Sequence, residues 1–260
     1  MRGNTEITAI GATHIGTEDY YKELQKELDS IPEGLFEGVK PLTDPSKIMP
    51  EKQKYLKTLE NLSFSYEKMA KYMNMKVQKD SLKYGVSWQD PDMTIEEVIN
   101  ATPASLLERF SNMRVSSDLL DNAYKNHPTE VSRLLKGQSM MIYKHQFISD
   151  LLQRFIMGKE SSDAMENVLL GQRNQKLFDV LESKLNQNVD KVGVIYGAKH
   201  LEELHDYLMD KGFEKQEERW LPAWELTEEE SKISLWKAIS TVAYCGHCKN
   251  PTNRIFTPEL

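Results

Sequence analysis

Residues 191–212 read KVGVIYGAKHLEELHDYLMDKG, and this stretch decides the fold of the chain. Its first part, residues 192–196, is a short apolar run rich in β-branched side chains, which is typical of a buried strand. Two small residues follow, and apolar residues then recur at helical spacing until Gly212. The stretch therefore predicts a strand, a G-x-x-H turn that ends at His200, and a helix.

A second copy of this pattern lies near the N-terminus. An apolar run leads into the GATH sequence of residues 11–14, and a helical pattern begins after Thr17, a residue type that is typical of N-caps. Two such units in one sheet predict that His14 and His200 lie together at the carboxyl ends of neighbouring strands, where open α/β sheets form their crevice. Imidazoles at such an edge bind a metal ion or act as a general base. A single histidine there is more often a hydrogen-bonded structural residue, so the repetition carries the prediction.

Two charged residues are further candidates. Glu37 lies between apolar neighbours in the predicted strand 35–39. Because a buried carboxylate needs a partner, we expect a metal ion or an arginine beside Glu37, unless the strand is an edge strand and Glu37 faces solvent. Arg173 opens the predicted helix 173–187, where it can orient a carboxylate or stabilise a developing oxyanion. On sequence physics alone, a surface charge is the simpler interpretation of Arg173.

Composition narrows the class of protein. The chain has 260 residues, of which 39% are hydrophobic and 28% charged, so we expect a globular protein with a substantial core. A formal net charge of −7 disfavours nucleic acids and anionic membranes as partners, and two cysteines exclude a disulfide framework. No apolar run reaches the roughly 18 residues of a transmembrane helix. The N-terminus leaves no room for a signal peptide, so we expect a soluble, cytoplasmic protein.

The rest of the chain is mostly helical by pattern. Helical spacing over about 50–158 predicts a large helical insertion between the strand units. One or two strands are predicted over 213–226, with Trp220 and Trp224 as packing residues, followed by a final helix over 231–244. The predicted fold class is therefore α/β, with a central sheet flanked by helices.

The Cys245-Gly-His-Cys248 sequence near the C-terminus looks like a dithiol redox centre. It follows a predicted helix rather than a strand, and no second cysteine pair completes a zinc site, so both roles are disfavoured. The chain lacks the P-loop, G-x-S-x-G, H-E-x-x-H and G-x-G-x-x-G motifs. Serine-triad hydrolases, P-loop enzymes and Rossmann dehydrogenases are therefore disfavoured.

Taken together, these motifs resemble the TraB/PrgY/GumN family, which includes the Tiki metalloproteases that inactivate Wnt proteins and the pheromone-shutdown proteins of bacterial plasmids. The sequences that carry the resemblance are IGATHIG (10–16), LFEGV (35–39), QRNQKL (172–177) and VIYGAKHLEEL (194–204). The resemblance extends to about residue 228. It implies a single domain over 1–260, with a fold related to erythromycin-esterase and ChaN-like proteins.

The family's paired G-x-x-H histidines match His14 and His200, its strand glutamate matches Glu37, and its arginine before the last long helix matches Arg173. The resemblance implies that His14, Glu37 and His200 hold a divalent Mn, Co, Zn or Fe ion. The chain departs from the family at Gln172, where many members have another polar or acidic residue. We also expect it to lack the export signal or C-terminal membrane anchor of many members, which argues against an extracellular peptide substrate.

The sequence hypothesis is a metal-dependent hydrolase of a peptide or small-molecule substrate. Water bound to the ion would attack a carbonyl, Arg173 would stabilise the oxyanion, and the insertion would form the wall or lid of the site. Two alternatives stay open. The first is a non-catalytic protein that sequesters a peptide, haem or metal, and the second is a metal-free esterase with His14 as the base.

Overall fold

The computed structural model contains a parallel sheet of four strands with helices packed against both faces. It describes residues 5–112, 117–144, 163–164, 166–187 and 189–225. The strands in chain order are β1 (Glu6–Ala12), β2 (Ile15–Gly16), β3 (Gly34–Phe36), β4 (Lys76–Val77), β5 (Trp88–Gln89) and β6 (Lys191–Gly197). The α-helices are α1 (Glu18–Asp29), α2 (Leu56–Met73), α3 (Gln78–Ser81), α4 (Ile95–Ala101), α5 (Ala104–Asn112), α6 (Ser117–Asn126), α7 (Pro128–Lys144), α8 (Gln172–Leu185) and α9 (Leu201–Asp210).

The order of the main sheet brings the two predicted units side by side. The order is β1-β6-β3-β5, and all three pairings are parallel. In register, Ala12 lies opposite Gly197 and Phe36 lies opposite Ile195, so β1, β6 and β3 end at nearly the same level. The predicted α/β class and the two strand–G-x-x-H–helix units are confirmed. A small second sheet pairs β2 with β4 in antiparallel orientation.

Strand β6 is the centre of the core because both of its faces are covered. Ile195 belongs to a cluster with the apolar face of α1, whereas Val192, Val194 and Tyr196 pack with α8 and α9 on the other side. All four side chains are fully buried. Burial of each aliphatic side chain contributes about 1.5–3 kcal/mol, so the apolar run at 192–196 holds the two helical layers together.

The short strand β5 was not predicted, yet it extends the sheet beyond β3. Its Trp88 ring lies across two glycines, since a Cβ added at Gly193 would be 2.6 Å from the ring and one added at Gly34 would be 2.7 Å from it. The indole Nε1 donates to the Ile31 carbonyl at 3.4 Å. This close approach brings the chain that follows β5 to the carboxyl edge of the sheet.

Helix boundaries follow the capping signals of the sequence. Thr17 caps α1 by accepting a hydrogen bond from the Tyr20 N–H, as predicted. Thr94 and Glu97 form a reciprocal capping box at the start of α4. The described part of the predicted insertion is mainly helical, with β4 and β5 as its exceptions. No helix among the described residues is long and apolar enough to span a bilayer.

The strands predicted over 213–226 are wrong for the described part of that segment. Residues 213–225 contain no strand, and Trp220 is 84% exposed. Charged residues crowd positions 214–219 and leave no alternation of apolar and polar side chains, which a half-buried strand requires. The segment instead packs Leu221 and Ala223 against the α1 cluster. The final helix predicted at 231–244 and the Cys245–Cys248 motif lie outside the described residues.

Candidate active site

Glu37 lies directly after β3 and is buried at the carboxyl edge of the sheet. Its backbone N–H donates to the Ile195 carbonyl at 2.9 Å, which continues the pairing with β6 by one residue. Its Oε1 accepts a hydrogen bond from Arg173 Nη2 at 2.6 Å, and its Oε2 accepts one from the Gly197 N–H. A Cβ at Gly197 would lie 3.0 Å from Oε2, so this glycine lets the carboxylate approach the end of β6.

Arg173, in the first turn of α8, is buried rather than a surface charge. It donates from Nε and Nη2 to the two oxygens of Asp92, at 2.8 and 2.5 Å, in the bidentate geometry that favours strong pairs. Its Nη1 donates to the Leu169 carbonyl at 3.2 Å. The single guanidinium of Arg173 is paired with two buried carboxylates, those of Glu37 and Asp92. In formal charges, the three groups together therefore carry a net charge of −1.

A π-helical turn places Arg173. Residues Asn167–Gly171 form this turn, in which the Gln172 N–H donates to the Asn167 carbonyl. Such wide turns are often found at functional sites because they rotate the residues that follow relative to a regular helix. In this chain the turn precedes Arg173 and Asn174, and the side chains of both residues reach the sheet edge. Gly171 is the last residue of this turn.

Asp92 and Asp90 are site residues that the sequence did not reveal. Asp92 has no exposed surface, and its backbone N–H donates to Asp90 Oδ1 at 2.8 Å. Both residues follow β5, whose two-residue length gave no periodic signal. The only available hint was a pair of aspartates around Pro91, which also reads as an ordinary loop.

His200 lies in a short 3-10 turn after β6 and is 3% exposed. Its Nδ1 is 2.5 Å from Asn174 Oδ1, and its Nε2 is 3.5 Å from Glu37 Oε1. Asn174 in turn donates to Glu203 Oε2 at 2.6 Å. Asn174 was within the QRNQKL motif, but no feature of the sequence assigned it a role.

His14 follows β1 by two residues and is exposed. Its ring packs edge-on against Tyr66 of α2, with centroids 5.4 Å apart. Its charge contributes to lowering the pKa of Glu37, which places it within electrostatic reach of that carboxylate. The two histidines thus follow the carboxyl ends of neighbouring strands, with His200 buried beside Glu37 and His14 at the surface.

The pKa values of Glu37, which follows β3, and Asp90, which follows β5, are shifted in opposite directions. Burial opposes ionisation of Glu37, but His200 and the charges of Arg173 and His14 outweigh it and hold the pKa of Glu37 well below its usual range. Burial raises the pKa of Asp90 to about 6, and the neighbouring charge of Asp92 acts in the same direction. Carboxyl groups with such divergent pKa values are suited to different roles in acid–base chemistry.

The Tyr196 hydroxyl is a further polar group near this edge. It is buried without a hydrogen-bond partner among the described residues. Burial, followed by the charges of Asp92 and Asp90, raises the pKa of Tyr196 far above its usual value. The hydroxyl therefore keeps its proton and leaves a donor available beside the carboxylates.

The chemistry of these donors fits part of a metal site. Within the described ranges, no group of three or more His, Cys, Asp and Glu side chains is close enough to hold a metal ion. The 3.5 Å between His200 Nε2 and Glu37 Oε1 nevertheless matches two ligands of one ion, which at about 2.0–2.2 Å and a tetrahedral angle lie roughly 3.3–3.6 Å apart. A carboxylate oxygen has about two lone-pair sites, so Oε1 retains capacity beside its bond to Arg173.

No family model matches the chain, and no curated protein and no solved structure matches it. The likeness to the TraB/PrgY/GumN family therefore stays a resemblance that rests on the motifs quoted above.

Removing the Arg173 charge is expected to destabilise the protein strongly. Arg173→Met keeps most of the side-chain stem but leaves Glu37 and Asp92 buried without their counter-charge, so we expect the free energy of unfolding to fall by about 3–5 kcal/mol at neutral pH. The control is Lys176→Met on the same helix, because Lys176 pairs with Glu97 at 2.7 Å while both side chains remain over one-third exposed. Its expected loss is below about 1 kcal/mol in denaturant unfolding. Equal losses in the two variants would contradict a buried charge cluster.

The pH dependence of stability should differ in sign for Glu37 and Asp90. The lowered pKa of Glu37 means that its ionised form stabilises the fold above its ordinary pKa of 4.5, and that this contribution is lost as the pH falls further. The raised pKa of Asp90 means that its contribution is present below 3.8 and is lost as the pH rises from 3.8 to about 6.

Chelator-treated wild type is therefore compared with Glu37→Gln and with Asp90→Asn by denaturant unfolding from neutral pH down to about pH 3. The advantage of wild type over Glu37→Gln should shrink towards acid, whereas its stability relative to Asp90→Asn should fall towards neutral pH. Slopes of the same sign for both variants would show that the assigned environments are wrong.

Proposed function

We propose that the chain is a metal-dependent hydrolase that acts on a peptide or small-molecule carbonyl substrate at the carboxyl edge of its sheet. The observation that supports this best is the buried pair of His200 Nε2 and Glu37 Oε1, 3.5 Å apart and backed by Arg173. The edge location is where open α/β sheets bind ligands. The resemblance to the TraB/PrgY/GumN family points to the same residues.

His200 and Glu37 would be two ligands of the ion, and His14 would be the third. The ring of His14 is exposed and, among the described residues, packs edge-on against Tyr66, so a rotation about its side-chain bonds is open to it. A bound divalent ion supplies a water of lowered pKa and polarises a carbonyl oxygen. Mn, Co, Zn and Fe all accept a set of two imidazoles and one carboxylate.

We propose that Arg173 acts mainly as a positioning residue. Its Nε and Nη2 are committed to Asp92 and Glu37, which fixes the orientation of the Glu37 carboxylate and keeps it ionised. The oxyanion role predicted from the sequence would have to use Nη1, which donates to the Leu169 carbonyl. Asp90, with a pKa of about 6, is the carboxyl group at this edge best suited to hold or release a proton near neutral pH.

A metal-free esterase is the second candidate, and one observation favours it. Both oxygens of Glu37 already accept hydrogen bonds, from Arg173 and from Gly197. In this mechanism the exposed His14 would be the general base, and Glu37 with His200 would orient the substrate.

Metal binding by wild type and variants distinguishes these candidates. We expect chelator-stripped protein to bind about one equivalent of Mn²⁺, Co²⁺, Zn²⁺ or Fe²⁺, and each of His200→Ala, Glu37→Gln and His14→Ala to lose at least tenfold in affinity. The control is His205→Ala, an exposed histidine on α9, which should bind like wild type. The readouts are calorimetric titration and, in parallel, hydrolysis of a peptide library and of a set of ester substrates.

The outcomes separate the hypotheses. Metal-dependent turnover that is lost in the three site variants supports the proposal. Turnover that persists in chelator supports the metal-free esterase. Metal binding without turnover of any peptide or ester supports a sequestering protein, and a wild type that neither binds metal nor turns over substrate contradicts both enzyme hypotheses.

A further inference from the structure

The chain around His14 is fixed in place at the carboxyl edge of the sheet. The Tyr21 hydroxyl donates to the Thr13 carbonyl at 2.9 Å. The Gln78 N–H donates to the His14 carbonyl at 3.0 Å. The main chain on both sides of the His14 side chain is therefore held, and a residue that packs on this ring has a defined position relative to the site.

Helix α2 places Tyr66 on that ring. Ala70 and Met73 of α2 are buried in one cluster with Ile15, the residue after His14. Tyr66 precedes Ala70 by four residues, so it lies on the same face of the helix, one turn nearer the N-terminus. Its ring meets His14 edge-on, with centroids 5.4 Å apart. The packing of α2 on the chain after β1 thus brings Tyr66 to the sheet edge.

The Tyr66 hydroxyl lies within electrostatic reach of the buried charges. Burial raises the pKa of Tyr66, the charge of Glu37 acts in the same direction, and the charge of Arg173 opposes it. The residue is nevertheless 45% exposed, and its hydroxyl forms no hydrogen bond with any residue that the structure describes. Tyr66 therefore combines an available donor with access from solvent.

Other donors at this edge are committed or out of reach of a substrate. Every nitrogen of the Arg173 guanidinium already donates to a protein oxygen. The Tyr196 side chain is fully buried, so a substrate does not reach its hydroxyl. In the part of the chain that the structure describes, Tyr66 is the hydroxyl donor that a substrate at this edge can best contact.

We infer that Tyr66 is a catalytic residue of the proposed hydrolase, and that its hydroxyl donates a hydrogen bond to the substrate carbonyl oxygen as this oxygen becomes an oxyanion. The inference rests on the proposed function and deepens it, because it gives α2 a direct part in the reaction. A donor aimed at developing charge is worth more in a site that excludes water than in solution.

The donor acts while water adds to the carbonyl carbon. A new C–O bond forms, the π electron pair of the carbonyl moves onto its oxygen, and the proton lost by the water passes to a base at the edge, for which Asp90 is the best-suited carboxyl group. Collapse of the intermediate re-forms the carbonyl, breaks the bond to the amine or alcohol, and gives the proton to that leaving group. The Tyr66 hydroxyl keeps its own proton throughout.

Removal of the hydroxyl alone tests the inference. Tyr66→Phe keeps the ring on His14 and removes only the donor, so we expect kcat to fall about 100-fold while KM and the affinity for Co²⁺ stay close to wild type. The control is Tyr72→Phe on the same helix, whose hydroxyl donates to Asp121. This control should lose stability and keep its kcat. Steady-state kinetics on the best-cleaved peptide or ester and calorimetric titration with Co²⁺ give these values.

A second measurement does not require turnover. Peptide phosphonates carry an anionic tetrahedral group that resembles the intermediate, so their affinity reports on donors directed at the oxyanion. With Co²⁺ present, we expect N-acetylated tripeptide phosphonates to bind wild type about tenfold or more tightly than they bind Tyr66→Phe. Tyr72→Phe should bind them like wild type.

The outcomes separate this inference from the proposed function. Wild-type kcat and wild-type phosphonate affinity in Tyr66→Phe overturn the inference and leave the hydrolase supported. Parallel losses of kcat and Co²⁺ affinity also overturn it, because they assign Tyr66 to holding His14. A wild type without turnover whose phosphonate affinity depends on the Tyr66 hydroxyl contradicts the hydrolase and supports the ligand contact. A wild type that neither turns over substrate nor binds a phosphonate contradicts both.

Discussion

The buried guanidinium of Arg173 is the constraint on which the site depends. It joins the end of β3 through Glu37, the end of β5 through Asp92, and the start of α8 on which it lies. Burying three charged groups costs several kcal/mol each in desolvation, and apolar residues of similar volume often serve a fold as well or better. We interpret the cluster as a means of holding Glu37 fixed and ionised at this edge.

This constraint makes the charged groups along the sheet edge differ from one another in ionisation. One guanidinium serves two carboxylates, and His200 presents its Nε2 to the Glu37 oxygen that Arg173 also holds. On the far side of β3, Asp90 has its pKa raised to about 6 by burial and by Asp92. The edge thus places the buried His200 Nε2 and Glu37 Oε1 3.5 Å apart, and it also carries a carboxyl group, Asp90, whose pKa is about 6. The proposed metal-dependent hydrolase would use both features.

Much of the scaffold could be predicted from the sequence, because apolar periodicity and capping residues report on burial directly. The apolar run at 192–196 predicted β6, and the repeated G-x-x-H pattern predicted the adjacent strand β1. Thr17 predicted the start of α1. Only some of the site residues could be predicted from the sequence. His14, Glu37, Arg173 and His200 were all candidates, and the structure brings three of them into direct contact.

The site residues that were not predicted depend on contacts between distant parts of the chain, and such contacts leave no local sequence pattern. Strand β5 has two residues and is held by the packing of Trp88 on two glycines from other strands, so neither its existence nor the position of Asp92 follows from periodicity. The burial of Arg173 depends on its pairing with Asp92 and Glu37, which the sequence does not reveal, and for this reason a surface charge was the simpler interpretation. The contacts of Asn174 with His200 and Glu203 could not be predicted, because they require knowing that α8 and α9 both approach His200.

The most direct test of this account is anomalous diffraction from crystals of the protein grown with Co²⁺ or Zn²⁺. We expect one metal peak between His200 Nε2 and Glu37 Oε1, within about 2.0–2.2 Å of each, with Arg173 still bound to Asp92. A metal bound elsewhere while Nε2 and Oε1 stay 3.5 Å apart, or crystals without any metal peak, would contradict the proposed metal site.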